Sequence, residues 1–308
     1  WWIAMTGIDG VRQDTIQYMP RPFIRDWSSA IKKQYPKFYL VGEVFERDSA
    51  QTAFFQGGKT GWDGIDTNLP SVFDFKLWET SQEVFTGKKP ARALRDVLKY
   101  DGLYPNIDNV TTLTNNHDTD RFMSLPGATL DGAMLHTAFI LSTRGIPQLY
   151  YGEEIAMTGG HDPDNRKDFT GGWREDKISK FTREGRTADE QKMFEWTQKW
   201  IKLRRENEIV RNGKTIDLFY DNDAYVFART NECRTMIFAF NFSNQKKRIE
   251  FKSAAIGVDM KGCLTNSKQT ICNNSEKGVF SFDLSPKSAD SFSVTSESIL
   301  LKCQKDSK

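Results

Sequence analysis

The sequence predicts an α/β chain: a partial (β/α)8 TIM barrel, about its last five strand-helix units, followed by an antiparallel β-sandwich domain. Three observations predict it. Strand-like and helix-like patterns alternate over residues 1–208, the signature of βαβ units. Three apolar runs close on an acid, at Asp14, Glu43 and Asp118. A parallel strand buried on both faces reads as a continuous apolar run, so these acids fall at C-terminal strand ends, the rim on which barrels carry their active sites. After Asn212-Gly213 the helical period gives way to short β-type runs separated by turn residues. The expected domains are therefore 1–208 and 209–308.

The elements follow in order. Trp1-Trp2-Ile3 reads as the tail of an element already under way, with no initiator Met or leader, and predicts a chain whose N-terminal part is missing. Gly7 to Asp14 is a strand. A helix runs from about Pro22, where the first turn tolerates proline, to Tyr35, with Phe23, Trp27, Ile31 and Tyr35 at helical period. Phe38 to Glu43 is the next strand and Leu69 to Asp74 a third, followed by helices at Phe75 to Phe85 and Pro90 to Lys99. Val110 to Leu113 is a strand, Leu130 to Ser142 a helix, Pro147 to Tyr151 a fifth strand and Ala188 to Arg205 its helix. The β-domain shows runs at Asp217 to Tyr220, Ala224 to Arg229, Thr235 to Phe240 and Arg248 to Phe251.

Composition bounds the function. With 38% hydrophobic and 27% charged residues, the chain reads as globular rather than disordered. Its 43 basic and 41 acidic side chains leave a net charge of +2, which gives no reason to expect nucleic acid or an anionic membrane as partner. No apolar run reaches the roughly 18 residues of a membrane span. A homo-oligomer is compatible with all of this. Cys233, Cys263, Cys272 and Cys303 lie in the last quarter; Cys263 and Cys272 suit a hairpin staple in an oxidising compartment, against the alternative of four unpaired thiols. The compartment stays open, with periplasm or secretion favoured slightly over cytoplasm. No spacing suggests zinc.

The chemistry comes from the acids. A retaining glycosidase sets two carboxyls across the scissile bond, one ionised to attack and one protonated to release the leaving oxygen. Arg12 shares a strand face with Asp14 two residues on and is expected to keep it charged. Glu43, behind Gly42 at the end of an apolar strand, is the better candidate for a raised pKa and the acid/base role. Asp118 would stabilise the cationic transition state, with His117 binding sugar hydroxyls. Singly, each has a plainer reading: an ion pair, a solvated strand end, a capping turn at Asn116-His117-Asp118. His136 lies in an apolar helix and is expected to be packed; His161, beside Asp162, is a candidate for lining the cleft.

On these residues the chain resembles the C-terminal two-thirds of an α-amylase superfamily enzyme (glycoside hydrolase family 13), most of all its neopullulanase/cyclomaltodextrinase branch. Gly10-Val11-Arg12-Gln13-Asp14 is similar to the fourth-strand G-x-R-x-D motif and implies Asp14 as nucleophile. Val41-Gly42-Glu43-Val44 resembles the fifth-strand motif of the acid/base, and Leu113 to Asp118 the seventh-strand motif of the stabilising Asp. Gly145 to Glu154 resembles the eighth strand, and Asp162-Pro163-Asp164-Asn165-Arg166 the substrate-side loop after it. The resemblance implies Arg12, Asn116, His117, Asp162, Asn165 and Arg166 as substrate-binding residues and an α-glucan oligosaccharide as substrate. The chemistry requires no cofactor; calcium is compatible, with no ligands identifiable in this stretch. The third-strand motif has no counterpart, and Thr15-Ile16-Gln17-Tyr18 lacks the Lys-His of many α-amylases. The rival readings are a transglycosylase or glucan isomerase using the same acids, and a non-catalytic relative used for binding. A barrel short of three strands exposes open edges, so these 308 residues alone are expected to show little activity.

Overall fold

The computed structural model of the chain describes residues 1–257, 262–273 and 278–296. In chain order it begins with α1 (Trp2–Thr6), β1 (Gly10–Gln13), α2 (Arg21–Gln34), β2 (Tyr39–Gly42), α3 (Ser49–Phe55) and β3 (Ser71–Val72). It continues through α4 (Phe75–Phe85), α5 (Arg92–Leu98), β4 (Thr111–Leu113), α6 (Leu130–Ser142) and β5 (Ile146–Gln148). Residues 1–80, 96–113 and 145–148 form one compact unit; residues 81–95, 114–144 and the described residues from 149 onward form another.

In the first unit β1, β2 and β3 pair in parallel in chain order. A parallel bridge from Phe73 to Thr111 carries the pairing on to β4, which pairs in parallel with β5. Strands β2, β3 and β4 are buried on both faces, where successive side chains point opposite ways, while β1 and β5 are only partly covered. Leu40 enters a core with Ile16, Ile24, Leu69, Val72 and Val110, while its neighbour Val41 enters a second with Phe73, Phe75, Trp78 and Leu113. Helix α2 presents Ile24, Trp27 and Ile31 to the first core, and Phe23, expected on that face, is exposed instead. Both sets satisfy a helical period; packing selects Ile24. The first strand begins at Gly10 because Gly7, in the left-handed region, caps α1. The fifth stops at Gln148. Helix α3, which no apolar period announces, starts on Asp48, whose carboxylate accepts from the Ala50 and Gln51 amides.

The second unit adds α7 (Ala188–Glu206), opened by a Thr187/Glu190 capping box, and α8 (Glu208–Asn212). Eight strands follow: β6 (Lys214–Tyr220), β7 (Ala224–Thr230), β8 (Thr235–Asn241), β9 (Lys247–Lys252), β10 (Gly262–Thr265), β11 (Thr270–Cys272), β12 (Val279–Leu284) and β13 (Ser288–Ser296). Six make an antiparallel sheet in the order β11-β10-β13-β8-β7-β6, and β12 pairs with β9. Val226, Ile237, Ile249, Phe280, Phe282 and Phe292 bring both sheets into one core. On the other face of β7 and β8, Phe227 and Phe240 pack against Phe139 of α6 and Phe238 and Phe240 against Trp200 of α7. That double burial makes β7 and β8 apolar at nearly every position.

Cys263 and Cys272 face each other across the β10–β11 hairpin and form a disulfide, and Cys233 is disulfide-bonded too. This corrects the reading of four unpaired thiols; Cys303 lies outside the described residues. No helix among the described residues is long and apolar enough to cross a membrane.

Candidate active site

In the first unit the parallel register pairs Arg12 with Val41 and Gln13 with Gly42. Asp14 and Glu43 therefore leave two adjacent strands side by side, and the Glu43 amide donates to the Gln13 carbonyl at 2.9 Å. One guanidinium joins them. Arg12 Nη1 donates to Asp14 Oδ1 at 2.9 Å, and Nη2 donates to Glu43 Oε1. Glu43 is 6% exposed, whereas the Asp14 side chain is open to solvent. Glycine before Glu43 lets the strand pack close, since a Cβ there would fall 2.7 Å from Leu69 Cδ2 and 2.9 Å from Ile16 Cγ2 and push both side chains aside. Thr15 takes the left-handed region at φ 51°, uncommon for a β-branched residue, and aims its amide at Glu43 Oε2, 3.3 Å away.

In the second unit the run after β4 turns on its own side chains. Asn116 Oδ1 accepts from the Asp118 amide at 3.0 Å. His117 Nε2 lies 3.2 Å from Asp118 Oδ2, and Arg166 Nη2 donates to Asp118 Oδ1 at 3.2 Å. Arg166 Nε also donates to the His117 carbonyl at 2.9 Å and pairs with Asp162 at 2.7 Å. Asn165 is wholly buried, and its amide donates to the carbonyls of His117 and Thr119 at 2.8 and 3.0 Å. It holds the loop rather than facing outward. His161 is almost fully exposed, with Nδ1 2.9 Å from Asp120. His136 is packed as expected, on Ser81 Oγ and between Phe85 and Phe122; burial drives its pKa down to about 3.

The structure thus gathers Arg12, Asp14 and Glu43 in one unit and Asn116, His117, Asp118, Asp162, Asn165 and Arg166 in the other. It also shows groups that the sequence reading passed over. Arg121 is fully buried, its guanidinium over the rings of Tyr150 and Tyr151. Glu153 is buried beside it, with Oε1 4.0 Å from Arg121 Nη1. Burial pushes the Glu153 carboxyl up to about 7, against the pull of Arg121 and of hydrogen bonds from Asn115 and the Phe122 amide. Burial and the Tyr151 hydroxyl push Tyr150 up to about 12. The only signal in the sequence was an Arg three places past Asp118 and a Glu in the run after β5. Neither reveals burial. Among the described residues no cluster of three His, Cys, Asp or Glu is arranged to hold a metal.

The alpha-amylase catalytic-domain model matches residues 1–213. The cyclomaltodextrinase of Thermoanaerobacter pseudethanolicus is 27% identical over 253 residues, covering 81% of this chain and 40% of that protein. A cyclomaltodextrin glucanotransferase of Bacillus licheniformis is 30% identical over 232 residues, 74% of this chain and 29% of that protein. The chain therefore spans less than half the length of these relatives. Among solved structures, the alpha-amylase from Geobacillus thermoleovorans complexed with acarbose superposes with a TM-score of 0.80 at 25% identity, over 96% of this chain and 62% of that one.

Proposed function

The chain belongs to the alpha-amylase family, and from that premise we propose that it carries the acid machinery of a retaining glycoside hydrolase. Its substrates on this reading are the α-glucosidic bonds of maltodextrins, cyclodextrins or pullulan. One observation carries the reading: a single guanidinium, Arg12, joins Asp14 and Glu43 at the ends of adjacent parallel strands. Two carboxyls bridged in this way favour the double-displacement route, which asks for about 5–5.5 Å between them, over inversion, which asks for about 6.5–9.5 Å.

Asp14 attacks the anomeric carbon as the C–O bond to the leaving sugar breaks. Glu43 delivers its proton to the leaving oxygen, then takes one from the water that releases the glycosyl-Asp14 ester. For that transfer Arg12 has to let go of Glu43, and its second bond, to Asp14, gives it somewhere to stay. Asp118 stabilises the oxocarbenium-like transition state, with His117, Asn116, Asp162 and Arg166 on the substrate side. The five parallel strands, continuous in pairing and in chain order, are read as the later strands of a (β/α)8 barrel within residues 1–208, with the β-sandwich over 209–308. The reaction uses no cofactor.

Asp14→Asn in the full-length protein is expected to cut kcat on maltooligosaccharides by about 10⁴-fold, the scale of losing a member of a catalytic constellation, with the melting temperature kept. A rate near the parent's would refute the assignment. The second reading, transglycosylation, is favoured by the glucanotransferase relative. Chromatography of products with and without added maltose separates the two, since a transferase lengthens the acceptor and a hydrolase does not.

A further inference from the structure

We propose that Arg121 is a positioning residue that holds Asp118 and Arg166 in working register through Asn165. The proposal rests on the reading of Asp118 as a transition-state stabiliser. It concerns a group that touches no substrate in that scheme.

A buried guanidinium has to find its partners inside the protein, and Arg121 finds them through Nε and Nη1, while its buried Nη2 makes no hydrogen bond. Arg121 Nε donates to the Asn165 carbonyl at 2.9 Å and Nη1 to the Tyr151 carbonyl at 2.6 Å. The plane lies 4.5 and 4.6 Å from the centres of the Tyr150 and Tyr151 rings, and the Arg121 amide donates to the Gly159 carbonyl at 2.8 Å. Three stretches, 115–121, 150–153 and 159–166, are thus tied at one side chain. Two glycines pack closely around it: a Cβ on Gly159 would lie 3.0 Å from Arg121 Cδ and 2.7 Å from the Asp164 carbonyl, and one on Gly152 3.1 Å from Nη1 and 2.5 Å from Met157 Sδ.

Asn165 passes the constraint on. Its amide straddles residue 118, donating to the carbonyls on either side of it, while its own carbonyl is held by Arg121. Arg166, the next residue, carries the donor on Asp118 Oδ1. A shift of residues 165–166 therefore moves both partners of the Asp118 ion pair at once. Lysine is a poor substitute, because the two bonds leave from different nitrogens of one planar fork and the flat cation fits between rings. The nearby carboxyl of Glu153, pushed up to about 7 by burial, leaves the carbonyls and rings as the main partners below neutral pH.

The test uses the full-length protein with Arg121→Met, Arg121→Lys and Asn165→Ala. A displacement of about an ångström at the reacting groups is expected to lower kcat by about 10²-fold, with KM within about threefold of the parent. Amide hydrogen exchange is expected to quicken across 115–120 while α6 keeps its protection. The double variant Arg121→Lys/Asn165→Ala is expected to lose no more than the worse single one, as for two links in one line. A kcat near the parent's, additive losses, or exchange that quickens equally through α6 would overturn the proposal. If Arg121→Met does not fold, Arg121→Lys, which keeps the charge, carries the test. If the parent cleaves no α-glucan, the function reading falls, and the exchange pattern alone decides for or against the positioning role.

Discussion

At the scale of single residues, Asp14 and Glu43 were legible as strand-end acids, because an acid ending an apolar run is costly unless it faces an edge or a partner; Asp118, expected at a strand end too, lies in the turn beyond β4, which stops at Leu113. Arg12 was legible as a neighbour of Asp14, two places along one strand. Its bond to Glu43, 31 residues away, was not, since it depends on the register that sets Arg12 opposite Val41. Glu153 is the reverse case, a residue whose chemistry is wholly environmental. Its carboxyl rises from an ordinary 4.5 to about 7 because burial penalises the charge. A folded pKa raised above the unfolded value means stability fully present below about 4.5 and lost as pH rises through about 7. The parent is therefore expected to lose stability across that window by on the order of 3 kcal/mol from this group. Glu153→Gln should remove that part of the slope. Urea unfolding at several pH values checks it, and parallel curves for parent and variant would show that Glu153 does not titrate in the fold.

At the scale of elements, strong periodic segments came through at their predicted bounds. Helices α4 and α6 run over Phe75–Phe85 and Leu130–Ser142 as read from sequence, α4 as an amphipathic segment and α6 as a long apolar stretch between turn residues. The β10–β11 hairpin was signalled only by its two cysteines, and strands β12 and β13 were missed because their exposed faces are Ser, Thr and Asp, and only alternate positions such as Phe280, Phe282 and Phe292 are apolar and buried. The β10–β11 hairpin has one buried core residue, Leu264, with Ile271 packed beside it, so its disulfide carries much of its order. Replacing Cys263 and Cys272 by Ser is expected to lower stability by about 2–3 kcal/mol. Thermal melts of parent and variant, with and without reductant, measure it; equal melting temperatures would leave the staple without a stabilising role.

At the scale of the whole molecule, each compact unit closes around strands buried on two faces, but by different means. In the first, parallel strands send alternate residues into two aliphatic and aromatic cores. In the second, one face of β7 and β8 meets the opposing sheet and the other meets α6 and α7 through Phe139 and Trp200. Trp200 is 1% exposed, and Trp200→Ala is expected to cost about 3–5 kcal/mol and to show in calorimetry as a lower melting temperature. A change under about 0.5 kcal/mol, the size of an ordinary surface substitution, would mean that this seam contributes little.

The sequence by itself determined most of the strands and helices up to residue 252, and that Asp14 and Glu43 stand at strand ends, because both follow from the period and punctuation of neighbouring residues. Only the tertiary structure decided which acid shares Arg12, that Asn165 looks inward, and that Arg121 and Glu153 are sealed from water. Those properties belong to pairs of residues far apart along the chain, and no local pattern carries the register and burial that create them.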